Sequence, residues 1–253
     1  MRISVVTIAY NSAATIGHTV ASFQEQTHRD AELLVIDGAS RDDTVALVQG
    51  FGDPRVRVIS EPDQGIYDAM NKGLAAYDGE AVGFLNSDDR YHDPGVLADI
   101  AVALEGHDAV CGNLDFVDNH GDRRVLRRWR GTPWRPGAFR RGWMPAHPTF
   151  YIRRAVAGRV GRFDTRYKIS ADYDFMLRAL ECPAPGEAVR VAFLERVMVD
   201  MMVGGASTAG WRAYLRGNLE SLRARRQWLG AGPVDYALFA KPLGKLGQWL
   251  WGR

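Results

Sequence analysis

AVGFLNSDD, residues 81–89, joins an apolar run to a cluster of oxygen-bearing side chains. Ala81–Leu85 has the length and composition of a buried strand, and two adjacent carboxylates, Asp88 and Asp89, follow it closely. Adjacent carboxylates repel each other unless a cation or a basic group lies near them. Because Mg²⁺ and Mn²⁺ take oxygen ligands and commonly bridge diphosphates, this stretch predicts metal-assisted phosphate chemistry at the end of a strand.

Strand and helix patterns alternate around this stretch. Strand-like runs are Ile3–Tyr10, Glu32–Asp37 and Val56–Ser60. Helical patterns follow each of them: one is capped by Asn11 or Ser12, one starts at Asp42–Thr44, and one covers Ile66–Ala76. A further helix has Pro94 in its first turn. Such alternation predicts a mostly parallel sheet covered on both faces. Beyond residue 108 the pattern changes, and Ala109–Val117 and Val125–Trp129 predict a hairpin. We therefore expect one α/β domain with a C-terminal extension.

The charges are distributed unevenly along the 253 residues. Residues 1–100 carry 7 Lys/Arg and 16 Asp/Glu, whereas residues 101–253 carry 25 and 14, which together give the net charge of +2. Within the second part, Arg123–Lys168 holds 14 basic residues and one acid. The acidic part suits a metal ion, and the basic part suits a diphosphate, an anionic lipid or a nucleic acid.

The cysteines and the apolar runs bear on the location of the protein. Cys111 and Cys182 lie far apart and outside any CxxC pair, so we expect neither a disulfide framework nor a zinc site. A reducing cytoplasm is the expected compartment. Residues 1–10 are short and lack a basic leader, and no apolar run reaches ~18 residues, so we expect neither a signal peptide nor a transmembrane helix.

The predicted ligand site lies where the parallel strands end, because open parallel sheets bind ligands beyond those ends. The strand ends supply Thr7, Ala9, Tyr10, Asp37, Asn86, Asp88 and Asp89. Neither GxxxxGK[ST] nor GxGxxG follows the first strand, which argues against a P-loop enzyme and against a dinucleotide dehydrogenase. We expect a nucleotide to be held by carboxylate–hydroxyl bonds and metal-bridged phosphates.

Six motifs in this sequence resemble family 2 of the glycosyltransferases, whose fold is called GT-A. They are VVTIAYNSAATI (5–16), LLVIDGASRDDT (33–44), EPDQGIYDAMNKG (61–73), FLNSDD (84–89), AHPTFYIRR (146–154) and ISADYDFMLRAL (169–180). The likeness covers residues 1–200 and points to enzymes that build capsule, O-antigen or exopolysaccharide units. It implies a GT-A catalytic domain over residues 1–202, with a nucleotide-sugar half (1–100) and an acceptor half (101–202), and a helical extension over 203–253.

The resemblance also implies a donor site and a metal site. The implied nucleotide-sugar residues are Thr7, Ala9 and Tyr10 at the base, Asp37 at the base or ribose, and Asp68, Lys72, Asn86 and Asp88 near the nucleotide. Asp88 would bond the ribose or the metal, and Asp89 would hold Mn²⁺ or Mg²⁺ on the diphosphate. Asn86 departs from the family, which often has Asp there, but the last two acids are intact.

On the acceptor side, the resemblance implies that Asp172 is the catalytic base, which takes the proton of the acceptor hydroxyl. Asp174 competes for this role, although it also suits the first turn of a helix, where the dipole favours an acid. One direct displacement of the diphosphate would invert the anomeric centre. His147, Arg153 and Arg154 are candidates for facing the acceptor or the diphosphate, with a structural role as the alternative for each.

Two amphipathic segments follow residue 210. In Trp211–Leu229, we expect one apolar face to pack on the catalytic domain; it comprises Trp211, Leu215, Leu219, Leu222 and Leu229. Tyr236–Trp251 places Trp and Lys beside an apolar stripe, which is typical of a membrane interface. Residues 203–253 hold 8 basic and 2 acidic side chains, which would attract anionic lipid. We expect peripheral binding to the inner face of the cell membrane, with a homodimer as the alternative.

The expected function is metal-dependent, inverting transfer from a nucleotide-diphosphate sugar, with a UDP-sugar favoured, to a glycan or a polyprenyl-diphosphate-linked acceptor. One rival is a sugar nucleotidyltransferase, but AYNSAAT lacks the Gly-rich basic loop expected after its first strand. The other is a non-enzymatic nucleic-acid-binding protein. The acidic first hundred residues would repel that partner, and no binding motif is present, so we expect no nucleic acid.

Overall fold

A computed structural model describes residues 1–118, 121–203, 211–230 and 232, and in them a nine-stranded sheet is flanked by seven α-helices. The strands are β1 (Ile3–Ala9), β2 (Ala31–Asp37), β3 (Val56–Ser60), β4 (Ala81–Phe84), β5 (Arg90–Tyr91), β6 (Ala109–Val117), β7 (Val125–Trp129), β8 (Tyr151–Arg153) and β9 (Val191–Met202). The helices are α1 (Ile16–Gln24), α2 (Thr44–Gly50), α3 (Ile66–Ala76), α4 (Val96–Glu105), α5 (Arg154–Val160), α6 (Ala171–Glu181) and α7 (Trp211–Leu229).

The sheet has a parallel part and a mixed part. Its strand order is β3-β2-β1-β4-β8-β6-β9-β5, and β7 pairs with β6 outside this path. The first four strands are parallel, as the alternating pattern predicted. β8 runs antiparallel to both β4 and β6, whereas β6 and β9 are parallel. The predicted hairpin is the antiparallel pair β6–β7.

Both faces of β1, β2 and β4 are buried, whereas the residues of β3, at the edge of the sheet, are half-buried or exposed. In β1, Ile3 and Val5 belong to a core that includes residues of α1 and α4, whereas Val6 and Ile8 belong to a second core that includes residues of α3 and α6. A strand that is covered on both sides needs apolar residues at successive positions, which explains the continuous run ISVVTIA.

Two helix starts differ from the sequence prediction. α1 begins at Ile16 after Thr15, and not after Asn11 or Ser12; a turn precedes it, in which the Ser12 carbonyl accepts the N–H groups of Thr15 and Ile16. α4 begins at Val96, because the Asp93 side chain accepts the Gly95 N–H (2.8 Å) and forms an Asx turn. Pro94 therefore lies before α4 and not in its first turn.

α7 packs through a face that contains only part of the predicted one, namely Leu222 and Leu229. Leu222 and Ala224 are buried together with the polar Ser221 and Arg225, while Leu215 and Leu219 are exposed. The Glu220 carboxylate accepts the backbone N–H groups just before α6, which include those of residues 168–170. Polar side chains therefore orient α7 on α6. The predicted segment Tyr236–Trp251 lies outside the described residues. Among the residues that the structure describes, no helix combines the length and hydropathy needed to cross a membrane.

Candidate active site

The ends of β1 and β2 form an edge that carries the first predicted donor residues. Ala9 is paired with Asp37, and its carbonyl accepts the Gly38 N–H (2.9 Å). Asp37 is fully buried, and its carboxylate accepts the Ser40 N–H (3.0 Å), the Ser40 hydroxyl and the Ser60 hydroxyl (2.7 Å). The Tyr10 ring is 60% exposed. A fixed carboxylate and an exposed ring therefore lie at the same edge.

Thr7, which the sequence predicted at the nucleotide base, is buried and makes a structural hydrogen bond. Its side chain is fully buried, and its hydroxyl donates to the Leu85 carbonyl (2.7 Å), directly after β4. The Leu85 N–H in turn donates to the Val6 carbonyl (3.0 Å). Thr7 thus holds the ends of β1 and β4 together and does not line the exposed edge through its side chain.

Asp68 and Lys72 of α3 brace the loop before this helix. The Asp68 carboxylate accepts the Gln64 N–H (3.0 Å). The Lys72 ammonium donates to the Pro62 carbonyl (2.6 Å) and pairs with Glu61 (2.9 Å). Both side chains therefore fix the EPDQG loop.

Sequence reasoning missed Asp63 of this loop. If residue 38 had a Cβ atom, it would lie 2.4 Å from the Oδ2 atom of Asp63. Gly38 therefore allows the Asp63 carboxylate to approach the end of β2. This is a close contact between two sequence motifs that no spacing rule reveals.

The acid pair after β4 has one half-buried and one fully buried member. Asp88 is half-buried, whereas Asp89 is fully buried and accepts the Asn86 side-chain N–H (3.1 Å) and the Met202 backbone N–H (3.2 Å). Burial and then the charge of Asp88 raise the pKa of Asp89 well above its usual value. The amide of Asn86 donates a hydrogen bond here, whereas a carboxylate would add a third negative charge. This contact gives a physical reason for Asn86 in place of Asp.

The chemistry of these donors fits a hard divalent cation. The side chains of Asp88 and Asp89 offer only oxygen atoms, which Mg²⁺ and Mn²⁺ prefer. Within the described parts of the chain, no group of three or more His, Cys, Asp or Glu side chains could hold a metal ion. A cation held here would therefore take its remaining ligands from substrate phosphates and water, as Mg²⁺ commonly does.

Asp172 and Asp174, two residues apart on α6, have different environments. Asp174 is buried, pairs with Arg178 (2.8 Å) and accepts the Trp228 indole N–H (2.8 Å). Asp172 is half-buried, and its Oδ1 atom lies 3.3 Å from the Tyr67 hydroxyl, which also donates to the Ile169 carbonyl (2.6 Å). Asp174 thus holds α7 on α6, whereas Asp172 remains accessible.

Asp172 lines a cavity of about 530 Å³ between the β6–β7 hairpin and α7. This cavity, called the hairpin cavity below, has walls that include Phe116, Trp129, Trp143, His147, Asp172 and Tyr214. Its volume is within the range of small-molecule sites.

His147 connects the hairpin cavity to the end of β4. Its ring stacks on Phe84 (centroids 5.4 Å apart) and meets Phe163 edge-on (6.2 Å). The buried Nε2 atom has no hydrogen-bond partner among the described residues. Burial lowers the pKa of His147 and outweighs the opposing effect of the Asp172 charge, so the imidazole is neutral near pH 7.

Arg153 and Arg154 lie outside the candidate site. β8 runs antiparallel to β4, so Arg153 pairs with Ala81 at the start of β4, away from its carboxyl end. Arg153 donates to the carbonyls of Leu104 and His107 at the end of α4. Arg154 donates to two carbonyls at residues 77 and 79. Their acceptor- or diphosphate-facing role is corrected to a structural one, the alternative that the sequence left open.

A second feature that sequence reasoning missed ties β5 to β9 beside Asp89. The His92 ring bonds the buried Asp200 carboxylate (2.6 Å), and the Arg123 guanidinium donates to the same carboxylate (3.3 Å). Met202, two residues beyond Asp200, donates to Asp89. The contacts span between 77 and 113 residues of sequence, so only the paired strands reveal them.

With this geometry in place, the family can be assigned. Residues 4–164 match the family model described as Glycosyl transferase family 2. The chain belongs to this family. An uncharacterized glycosyltransferase of Mycobacterium tuberculosis is 37% identical over 181 residues, which are 70% of this chain and 68% of that relative.

Two solved structures share the fold of this family 2 enzyme. S. aureus TarS 1-349 in complex with UDP superposes with a TM-score of 0.67 at 20% identity, over 97% of this chain and 71% of that chain. The chain spans 43% of a longer TarS structure. Mannosyltransferase PcManGT from Pyrobaculum calidifontis, in complex with GDP-Man and Mn²⁺, superposes with a TM-score of 0.65 at 20% identity. The match covers 95% of this chain and 68% of that chain. The fold is GT-A, which confirms the fold that the motifs predicted.

The basic run Arg123–Lys168 does not form one continuous surface in this family 2 enzyme. Several of its arginines bind acids or carbonyls of the fold: Arg123, Arg130, Arg140, Arg153, Arg154, Arg159 and Arg166. Membership of a glycosyltransferase family also favours sugar transfer over the nucleotidyltransferase alternative.

The His92–Asp200 pair predicts a pH-dependent contribution to stability. The hydrogen bond to Asp200 raises the pKa of His92 above 6.5, although burial and Arg123 oppose this effect. A raised folded-state pKa stabilises the fold below the unfolded-state value and loses this effect as the pH rises through the folded-state value. We expect His92→Gln to lower the melting temperature more at about pH 5.5 than at about pH 8.5.

The matched control is His28→Gln. The His28 ring forms a hydrogen bond with the Met1 carbonyl (3.0 Å), whereas His92 bonds a carboxylate. Differential scanning calorimetry at both pH values checks the comparison. An effect of His92→Gln that grows with rising pH would contradict the assignment.

Proposed function

We propose that this family 2 enzyme is an inverting glycosyltransferase that uses a nucleotide-diphosphate sugar, with a UDP-sugar favoured, in cell-surface polysaccharide biosynthesis. The acceptor would be a hydroxyl group of a glycan or of a polyprenyl-diphosphate-linked sugar. One observation carries the proposal: an accessible carboxylate, Asp172, lines a cavity whose wall also touches the end of β4, where the acid pair begins. Asp174, its competitor, is fully engaged in holding α7.

The donor would bind at the ends of β1, β2 and β4. Tyr10 offers an exposed ring for the base, and Asp37 offers a fixed carboxylate for the base or ribose. Support comes from S. aureus TarS, a fold neighbour bound to UDP. Thr7, Ala9, Asp68 and Lys72 would act indirectly, by fixing the strand ends and the loop before α3. This assigns donor binding to residues 1–100 and acceptor binding to residues 101–202.

Asp88 and Asp89 would hold Mn²⁺ or Mg²⁺, and the observed oxygen-only donor set fits either ion. When bound, such an ion neutralises the charge that develops on the departing diphosphate. PcManGT, another fold neighbour, is complexed with Mn²⁺. Asn86 would orient Asp89 through its side-chain hydrogen bond.

Asp172 would act as the general base. As the acceptor oxygen bonds to the anomeric carbon, the bond to the nucleoside diphosphate breaks, and Asp172 takes the hydroxyl proton. The leaving group departs from the face opposite the attacking oxygen, so one displacement inverts the anomeric centre. The neutral imidazole of His147, on the same cavity wall, would position the acceptor by hydrogen bonding.

The donor and metal assignments predict metal-dependent stabilisation by one class of nucleotide sugar. A ligand that binds only the folded state raises the melting temperature. We expect one of UDP-, GDP-, dTDP- or CMP-sugar to do so with Mn²⁺ and not with EDTA, and Asp89→Asn to abolish the shift. A thermal-shift panel measures this.

Asp30→Asn is the matched control, because Asp30 is an exposed acid just before β2, at the opposite edge of the sheet. Its variant should keep the full shift. A folded wild-type protein that no nucleotide sugar stabilises would count against the donor assignment.

The base assignment predicts opposite effects for the two acids of α6. We expect Asp172→Asn to lower kcat by about 10²- to 10⁴-fold without loss of stability, because only the proton acceptor is removed. Asp174→Asn should instead lower the free energy of unfolding by about 3 kcal/mol, because it leaves Arg178 unpaired in a buried site. Initial rates and urea titrations separate the two variants.

The same reaction tests the stereochemical proposal, since NMR of the product reports its anomeric configuration. Retention of configuration, or full activity in Asp172→Asn, would exclude Asp172 as the base of a single displacement.

We propose that the enzyme works in the cytoplasm, bound peripherally at the inner face of the cell membrane. On α7, Leu215 and Leu219 are 51% and 55% exposed, one turn apart. Arg216, Arg223 and Arg226 are exposed on the same helix. Exposed apolar side chains beside cations suit an anionic membrane interface, where each nearby cation contributes about 1 kcal/mol. A homodimer through this face is the alternative occupant.

The membrane assignment predicts that the full chain sediments with vesicles containing anionic lipid at low salt. Leu215→Ser combined with Leu219→Ser should weaken this binding, because both apolar contacts are removed. The control is Val102→Ser, which changes an exposed apolar residue of α4. Equal sedimentation with and without vesicles would contradict the assignment, and a dimer lost only in the double variant would assign the face to a second subunit.

A further inference from the structure

One wall of the hairpin cavity consists of alternate residues of β6 and β7. Leu114 pairs with Trp129, and Phe116 pairs with Arg127, so all four side chains lie on the same face of the hairpin. Arg128 pairs with Asp115 on the other face. The side-chain period of two therefore places one arginine of β7 in the cavity and its neighbour outside.

Two arginines of the hairpin cavity, Arg127 and Arg141, have no acidic partner in the part of the chain that the structure describes. The side chains of Arg127 and Arg141, the second of which is exposed, form no hydrogen bond or ion pair with any residue that the structure describes. Arg127 is half-buried, with its guanidinium 3.8 Å from the centre of the Phe116 ring. Arg130, which also lines the cavity, pairs with Asp115 (2.7 Å). Among the described residues, one cavity arginine therefore has an acidic partner, whereas Arg127 and Arg141 have none.

Partial burial of an arginine without a counter-charge is costly, because the guanidinium stays ionised in proteins. Burial lowers the pKa of Arg127, which is consistent with this cost. Contact with an aromatic ring recovers only part of the lost hydration. A bound oxyanion would supply the missing charge, and the planar guanidinium donates two parallel hydrogen bonds to phosphate or carboxylate.

We propose that the acceptor carries an oxyanion, which Arg127 and Arg141 bind. An apolar group next to the oxyanion packs on Trp129 and Trp143. This inference rests on the proposed function. The oxyanion is a phosphate or a carboxylate. All four side chains line the cavity that contains Asp172.

The charges of the cavity would orient such an acceptor. Asp172 repels an anion at the N-terminus of α6, whereas Arg127 and Arg141 attract it on the hairpin and on the turn at Ala138–Arg141. The hydroxyl group that reacts would therefore face Asp172 while the oxyanion faces the arginines. Indole rings offer flat apolar surface for a sugar face or an alkyl chain.

Three amphiphiles with the same chain test this proposal: octyl phosphate, octyl glucuronide and octyl glucoside, each below its micelle concentration. We expect the phosphate or the glucuronide to bind about tenfold or more tightly than the neutral glucoside, by calorimetric titration. The tighter of the two anions identifies phosphate or carboxylate as the source of the charge. Equal affinity for charged and neutral amphiphiles would overturn the proposal.

Variants assign the effect to the two arginines. Arg127→Gln and Arg141→Gln should each weaken binding of the tighter anion about tenfold, and Arg127→Lys should weaken it less because the charge remains. Arg128→Gln is the matched control, since Arg128 lies on the same strand and faces away from the cavity. Equal losses in Arg127→Gln and Arg128→Gln would overturn the assignment. Melting temperatures show that each variant is folded.

The nucleotide panel separates this inference from the proposed function. Stabilisation by a nucleotide sugar without preferential binding of the anionic amphiphiles would overturn the acceptor inference alone. Anion binding without stabilisation by any nucleotide sugar would overturn the identification of the anion as an acceptor. Both responses in the wild type, with only the anion response weakened in Arg127→Gln, would support the proposal.

Discussion

The buried carboxylate of Asp89 joins the parallel part of the sheet to the mixed part. It follows β4, accepts the side chain of Asn86 from the same loop, and accepts the backbone N–H of Met202 at the end of β9. The Thr19 hydroxyl of α1 donates to the backbone carbonyl of Asp89 (2.6 Å). A buried carboxylate needs such partners, because leaving it without hydrogen bonds costs more than any single contact provides. The position of the acid pair therefore depends on β9, more than a hundred residues away.

This junction also connects the end of β4 with the hairpin cavity. Met202 donates to Asp89, whereas Met201, its neighbour, lines the hairpin cavity. Phe84 at the end of β4 stacks on His147, which lines the same cavity. Two independent contacts thus connect the end of β4 with the cavity that contains Asp172. A transfer reaction between two substrates needs such proximity, since holding reactants together replaces a bimolecular encounter.

The sequence predicted those features that depend on local pattern. The strands β1 to β4, their parallel direction and the acids at the ends of β2 and β4 follow from apolar runs and alternation. In β1, β2 and β4 the apolar run is continuous because both faces of the strand are buried. The positions of Arg153 and Arg154 could not be predicted, because they depend on β8 running antiparallel. The packed face of α7 was predicted only in part, since Leu222 and Leu229 pack against the fold whereas Leu215 and Leu219 are exposed. Arg225 is buried there and donates to the Tyr173 hydroxyl, a contact that a hydrophobic stripe does not encode.

The two acids of α6 show why residue type alone does not settle a site. Asp172 and Asp174 are two positions apart, so they point in different directions from the helix axis. The face of Asp174 meets α7, and its oxygens are occupied by Arg178 of α6 and Trp228 of α7. The face of Asp172 meets the cavity. In the extension beyond residue 202, α7 buries Asp174, which is therefore not accessible to a substrate. The same helix forms part of the wall of the cavity that Asp172 lines. The accessibility of Asp172 is therefore a property of the assembled helix pair and not of the motif in which it occurs.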